Sequence, residues 1–435
     1  EKIFFIKSLF MKIKIPKVLN TELKKNILKL FSATLISQVT AISSSFILAY
    51  FFFPADLGEF SVVISLSAIL SIFFTLRTEY PIVINSGKSN FSSFYAMFIT
   101  LGVFITTTVV IGSFFIFKER VFGISFNLFL ITVTIALCIS YVKILQSYLV
   151  SKTRFGNIGV SKVLQVISIL FSQIMLFKFN INKPLILGLL IGLSINIFYL
   201  FFIFIKTAHF YNTKRIISNL GMYIYKFKKI IGIGSISDVI NSTASNMLPP
   251  LILLAYSKEI AGYYFFANRL LSVPLQLISS SSASVYFQKG SEYFKKTQFL
   301  SLKRLTLKLE FWNGLIMLGV IAVIGLFLPD ILHLFFGNKW DTSLMYIYIL
   351  LPFFFVRSLF SPISNIMEIL NRNEIGLYLN IFLIIMNFLA IKYGDFNNNI
   401  LSAIMIISIT GFVGYLSINF IFLFLITKLT QQKNE

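Results

Sequence analysis

Three arginines sit inside stretches that otherwise look built for lipid. Arg77 lies in "SIFFTLRTEYPIVI" (71–84), Arg269 in "FFANRLLSVPLQ" (265–276) and Arg357 in "LLPFFFVRSLFSP" (350–362). A guanidinium at the centre of a bilayer costs at least ~3 kcal/mol on insertion scales, so it must face a partner or an aqueous cavity. The neighbours of two of them point to a cavity. Arg357, Ser361, Ser364, Asn365 and Glu368 recur at helical spacing, and so do Arg269, Ser272, Gln276, Ser279 and Ser280. Asp238, Asn241, Ser242, Ser245, Asn246 and Pro249 make a third polar stripe, and Thr34, Gln38 and Ser45 a thinner fourth. Serines and asparagines also bond across membrane helices, which is the plainer reading of any one of them. Arginine-led stripes several turns long favour a shared aqueous space.

The chemistry such stripes allow is anion binding. A guanidinium stays protonated and offers a rigid fork that matches a carboxylate or a diphosphate. Arg77, Arg357 and Arg269 fall at three successive depths, which suits an anionic group that travels. The substrate-binding candidates are therefore Arg269, Arg357, Arg77, Gln276, Asn365, Asn246 and Gln38. The acids well inside apolar segments are Asp238, Glu79 and Glu368, with Glu310 close to a helix start. The first three are candidates for coupling to H+ or Na+, or they neutralise nearby arginines. The helical neighbours of Arg77 (Leu66, Leu70 and Phe73) are apolar, so an ion pair is expected there.

These residues need membrane spans to position them. The chain has 435 residues, is 57% hydrophobic and only 12% charged, and has a mean hydropathy of +0.85. Soluble domains carry about 25% charged residues. One cysteine, Cys138, and two histidines in separate loops rule out an internal disulfide and a cysteine–histidine metal site. No phosphate-binding loop or nucleophile elbow is present, so an ATPase, a hydrolase or any other enzyme is not expected, and no cofactor is implied. The net charge of +22 belongs to loops and a basic pathway, not to a nucleic-acid partner.

A span needs ~20 apolar residues. Cutting the sequence at charges, Gly, Pro and Asn gives twelve, at 27–53, 61–84, 91–117, 124–150, 157–178, 184–206, 230–255, 261–288, 304–328, 342–370, 375–392 and 399–428. With both ends cytoplasmic, 24 Lys and Arg fall on the inner side and 7 on the outer, as the positive-inside bias requires. The expected organisation is a basic amphipathic cytoplasmic arm (1–26), a six-helix lobe (27–206), a cytoplasmic linker (207–229), a second six-helix lobe (230–428) and a tail (429–435). The halves echo each other. Gly58 lies 33 residues after Lys25, Gly262 lies 33 after Lys229, and Phe60 and Tyr264 follow two places on. Six is even, so the repeat is parallel, about an axis along the membrane normal.

Twelve spans in two sixes, with "PADLGEFSVVISL" (54–66), "TLRTEYPIVINSGK" (75–88), "GYYFFANRLLSVPLQLISSSSASVYFQK" (262–289) and "LFFGNKWDTSLMYI" (334–347), resemble the Wzx-type polysaccharide flippases. These belong to the multidrug/oligosaccharidyl-lipid/polysaccharide exporter superfamily. The resemblance covers roughly residues 24–425. It implies a bacterial inner-membrane flippase that moves an undecaprenyl-diphosphate-linked oligosaccharide repeat unit between leaflets through a cationic cavity, by alternating access. Arg77, Arg269 and Arg357 match that role. The fold expected is an all-α integral membrane protein: twelve transmembrane helices in two parallel six-helix lobes, V-shaped around a central cavity. The alternative is an ion-coupled exporter of small organic molecules. The absence of an acid in residues 31–53 counts against that branch.

Overall fold

A computed structural model of the chain describes residues 21–115, 120–121, 124–208 and 220–432. Most of the expected arm 1–26 and the centre of the linker 207–229 lie outside these residues. Twelve rods follow one another and are numbered here as spans 1–12. They are Thr21–Phe51, Pro54–Thr75 continued by Glu79–Ile84, Ser89–Phe114, Phe126–Ser151, Phe155–Lys178 and Pro184–Thr207. After the short helix Leu220–Lys226 come Ser235–Asn246 continued by Leu248–Ala255, Lys258–Lys295, Phe299–Phe336, Asp341–Phe360 continued by Ile366–Ile369, Asn373–Phe396 and Ile400–Gln432. The two-residue strands Arg120–Val121 and Ile124–Ser125 pair antiparallel between spans 3 and 4.

Among the described residues, nine segments are long and apolar enough to cross a membrane. Spans 9 and 10 run together as one of these, Phe299–Ile363, and spans 7 and 8 are missing. Span 7 is broken at Met247 into helices of 12 and 8 residues, too short to cross alone, and the serines, asparagine and charges of span 8 lower its hydropathy. This is a multi-pass membrane protein with the expected all-α, two-lobed fold.

The buried apolar clusters give the V its shape. One large cluster draws on both lobes, with Leu48, Phe52, Leu57 and Phe60 packing alongside Ala261, Tyr264, Phe266 and Trp340. A second cluster, with Ile82, Leu145, Tyr148 and Phe204, belongs to the first lobe alone. A third, with Tyr286, Leu302, Ile366 and Phe422, belongs to the second. The lobes therefore share one core at one end and have separate cores at the other.

At the joined end, spans 2 and 8 cross backbone to backbone. A Cβ on Gly58 would lie 1.7 Å from the Lys258 carbonyl oxygen, and one on Gly262 would lie 1.8 Å from that of Pro54. Only glycine permits this approach. Glu59 then bridges the lobes, accepting from Lys183 Nζ at 2.6 Å and Lys258 Nζ at 3.2 Å. The Ala49 carbonyl of span 1 accepts from Lys339 Nζ at 3.0 Å and Trp340 Nε1 at 3.2 Å, both from the second lobe.

Three spans expected to be continuous are broken. Span 2 starts at Pro54, not 61, and its first helix ends at Thr75 because Leu76 (φ 44°) and Arg77 (φ 59°) are both left-handed. Two such residues in succession are costly without glycine. Span 7 opens with a π-helical turn, Ile230–Gly234, and changes register at Met247. Pro249 and Pro250 lack N–H groups, so the carbonyls of Ser245 and Asn246 lose their intrahelical donors. Span 10 passes through a 3₁₀ turn, Ser361–Ile363, around Pro362.

Candidate functional site

These three breaks border one cavity of about 720 Å³, walled by the second lobe with Arg77 reaching in from the first. Its lining includes Arg77, Asp238, Asn241, Arg357, Ser364 and Glu368. The left-handed turn at Leu76–Arg77 throws the Arg77 side chain across to the other lobe. Its guanidinium carbon sits 4.3 Å from the Tyr80 ring centroid, and Arg77 Nε is 3.1 Å from Asp238 Oδ2. That N–H is not aimed along the contact, so it is an ion pair without hydrogen-bond alignment. Room comes from Gly234, one turn before Asp238, where a Cβ would meet Arg77 Nη1 at 2.7 Å. The expected ion pair at Arg77 is therefore present, and it joins the two lobes.

Arg357 is held differently. Its guanidinium carbon lies 5.7, 6.0 and 5.6 Å from the ring centroids of Phe353, Phe354 and Tyr415. Ring faces attract a cation and fix its position without neutralising it. Among the described residues no carboxylate lies within ion-pair distance of Arg357. It also lines a small adjoining pocket with Ser245, Asn268, Asn380 and Asn387.

The other sequence candidates are distributed more widely. Glu368 lines the cavity with Arg77, Arg357 and Asp238. Arg269 does not. It donates from Nη2 to Ser44 Oγ at 3.1 Å, tying span 8 to span 1, with Phe265 5.7 Å away. Gln38 Nε2 donates to Gln276 Oε1 at 3.4 Å, again across the lobes. Asn246 donates to the Ser242 carbonyl on its own helix, and Asn365 to the Ala283 carbonyl on span 8. Glu79 faces Thr75 and Lys143 inside the first lobe, where Lys143 Nζ donates to Ser71 Oγ at 2.9 Å.

The lining is not uniformly cationic, as the resemblance led one to expect. Two arginines, Arg77 and Arg357, stand beside three carboxylates, Asp238, Glu368 and Glu374. Asp238 is paired with Arg77, and Glu374 with Arg372 at 3.3 Å. The groups left without an ion-pair partner within 4 Å are the Arg357 guanidinium and the Glu368 carboxylate. Sequence reasoning missed Tyr80, Gly234, Asn380 and Tyr415. Asn380 and Asn387 are seven residues apart on span 11, one helical face, which is the signal that could have found them.

No family profile matches the sequence, and no curated protein matches it. Solved structures do. A lipid II flippase, MurJ, in an inward closed conformation superposes with a TM-score of 0.70 at 18% identity, covering 92% of this chain and 87% of that one. A multidrug resistance MATE family transporter of the MOP superfamily, inward-facing, gives 0.61 at 15% identity, covering 92% and 95%. A MOP superfamily transporter from Pyrococcus furiosus, described as having a binding pocket of reverse polarity, gives 0.57 at 15%, covering 94% and 97%. The chain has the fold of the MOP-superfamily transporters.

Proposed function

We propose that this protein is a flippase that carries a lipid-diphosphate-linked oligosaccharide, on an undecaprenyl-type lipid, from the cytoplasmic to the periplasmic leaflet of a bacterial inner membrane. The observation that carries the reading is Arg357, a guanidinium set on three aromatic rings inside a cavity of about 720 Å³, with no carboxylate among the described residues paired to it. A fixed, unpaired guanidinium is ready to donate its N–H groups to a diphosphate. The head group would sit in this second-lobe cavity, into which Arg77 reaches from the first lobe, while the lipid tail stays in the bilayer. The resemblance of the sequence to polysaccharide flippases supports the substrate class.

Glu368 favours a second reading, an exporter of small organic cations, because it places an unpaired carboxylate in the same lining. Gene deletion separates the two. Loss of a surface glycan, with lipid-linked intermediates accumulating in the inner leaflet, supports the flippase. Unchanged glycan with heightened sensitivity to cationic drugs supports the exporter.

A further inference from the structure

Away from the cavity, the second lobe buries a carboxyl that no basic residue answers among the described residues. Glu310 of span 9 is 9% exposed, and its Oε1 has no hydrogen-bond partner. Asn313, one turn along the same helix, is 2% exposed with Nδ2 unpartnered, and Asn419 of span 12 is 7% exposed with Oδ1 unpartnered. The Asn419 side chain reaches Glu310. Three orphaned polar atoms on three neighbouring side chains are not a packing accident, since each unmet group costs roughly 1–3 kcal/mol.

The groups packed around Glu310 come from three spans. Span 8 brings Ser282, which donates to Asn313 Oδ1 at 3.0 Å, and Tyr286, whose hydroxyl lies 2.9 Å from Thr306 Oγ1 of span 9. Span 12 brings Asn419. Tyr286 is a titratable neighbour of Glu310, and among the described residues no Lys or Arg lies within ion-pair distance of that carboxyl. An ionised carboxylate sealed in such a place is strongly disfavoured, because nothing offsets its lost hydration. A protonated one is uncharged and can both donate to an unmet acceptor such as Asn419 Oδ1 and accept from an unmet donor such as Asn313 Nδ2.

We propose that Glu310, flanked by Asn313 and Asn419, is a proton-binding site of the second lobe, loaded with a proton when sealed as it is here. The site abuts span 8, the helix that crosses the first lobe at Gly262 and holds it through Arg269. Span 8 also reaches the cavity wall, where Ser279 Oγ donates to Ser361 Oγ at 3.2 Å. Ser279 and Ser282 are one turn apart, so a polar seam runs from the cavity to Asn313 and Glu310. The proton then biases the helix on which the two lobes meet. That coupling role rests on the transport reading above, whereas the binding itself does not.

The test needs no substrate. The full-length protein in lipid nanodiscs is titrated with pH, and the infrared carbonyl stretch of a protonated carboxyl is followed in wild type and in Glu310→Gln. Glu310→Gln keeps the shape and the hydrogen bonds of the protonated acid. The proposal expects a band in wild type that is lost in Glu310→Gln and unchanged when Na+ replaces K+. Asn419→Leu removes an amide that steadies the charged form, so its band should persist to higher pH. Identical spectra in wild type and Glu310→Gln would overturn the proposal. So would a wild-type band that Na+ abolishes at fixed pH, since the site would then belong to a metal cation, or an Asn419→Leu band with an unmoved titration. A failed glycan phenotype would leave all these outcomes standing.

Discussion

Arg357 and Arg77 are both cavity arginines, but they should fail differently when altered. Arg357 has rings for neighbours and no counter-ion among the described residues, so Arg357→Ala strands no charge there, and the protein should insert and express normally. Glycan export should nevertheless be lost, and Arg357→Lys should keep only part of it, because lysine retains charge without the two-pronged geometry. Export at wild-type level from well-expressed Arg357→Ala would remove diphosphate binding from this residue. Arg77 is paired to Asp238 with the two side chains 22% and 31% exposed, between the surface and buried regimes. A double-mutant cycle with Arg77→Ala and Asp238→Ala, read as thermal unfolding in detergent, should give a coupling of about 1–2 kcal/mol. Strictly additive losses would show that the pair contributes nothing. The sequence announced that Arg77 needed a partner, because its helical neighbours are apolar. It offered Asp238 among the acids that could neutralise an arginine but did not assign it to Arg77, because the pairing depends on a left-handed turn at Leu76–Arg77 that contains no glycine to betray it. Arg269 shows the same limit. Its stripe is real, but its guanidinium is spent on Ser44, a contact between spans 225 residues apart.

At the level of helices, the crossing of spans 2 and 8 has the least room to change. A methyl group on Gly262 would lie 1.8 Å from the Pro54 carbonyl oxygen, so Gly262→Ala forces the helices apart. Trp340 is fully buried beside this crossing and bonded to Ala49, which makes it a reporter. In a Trp312→Phe background, Gly262→Ala should shift Trp340 emission to the red and raise its quenching by a water-soluble quencher severalfold. Unchanged emission would show that the joined end tolerates the methyl. Here the sequence was informative, since the matched positions of Gly58 and Gly262 marked the place before any fold was known. The breaks in spans 2, 7 and 10 were less legible. Pro249, Pro250 and Pro362 hinted at two of them, but proline sits quietly in many membrane helices, and only packing decides where its unmet carbonyls turn.

For the whole molecule, orientation is the first quantity to fix. The 24-to-7 distribution of Lys and Arg predicts a cavity end that faces the cytoplasm. With Cys138 replaced, a cysteine at exposed Glu292 should resist an impermeant thiol reagent in intact cells, and one at exposed Phe53 should react. The reverse pattern would invert the protein and the direction of transport with it. The glycine crossing and the Arg77–Asp238 pair lie at opposite ends of one rod, 19 residues apart. At 1.5 Å per residue the rod is about 28 Å long, so it acts as a lever arm. Widening the 3.1 Å ion pair to about 10 Å then needs a tilt of only about 15° about the glycines, and no helix has to bend. A methyl group at the pivot shifts the rod bodily, whereas loss of the ion pair frees its angle. Distances measured at both ends of the rod would tell translation from rotation.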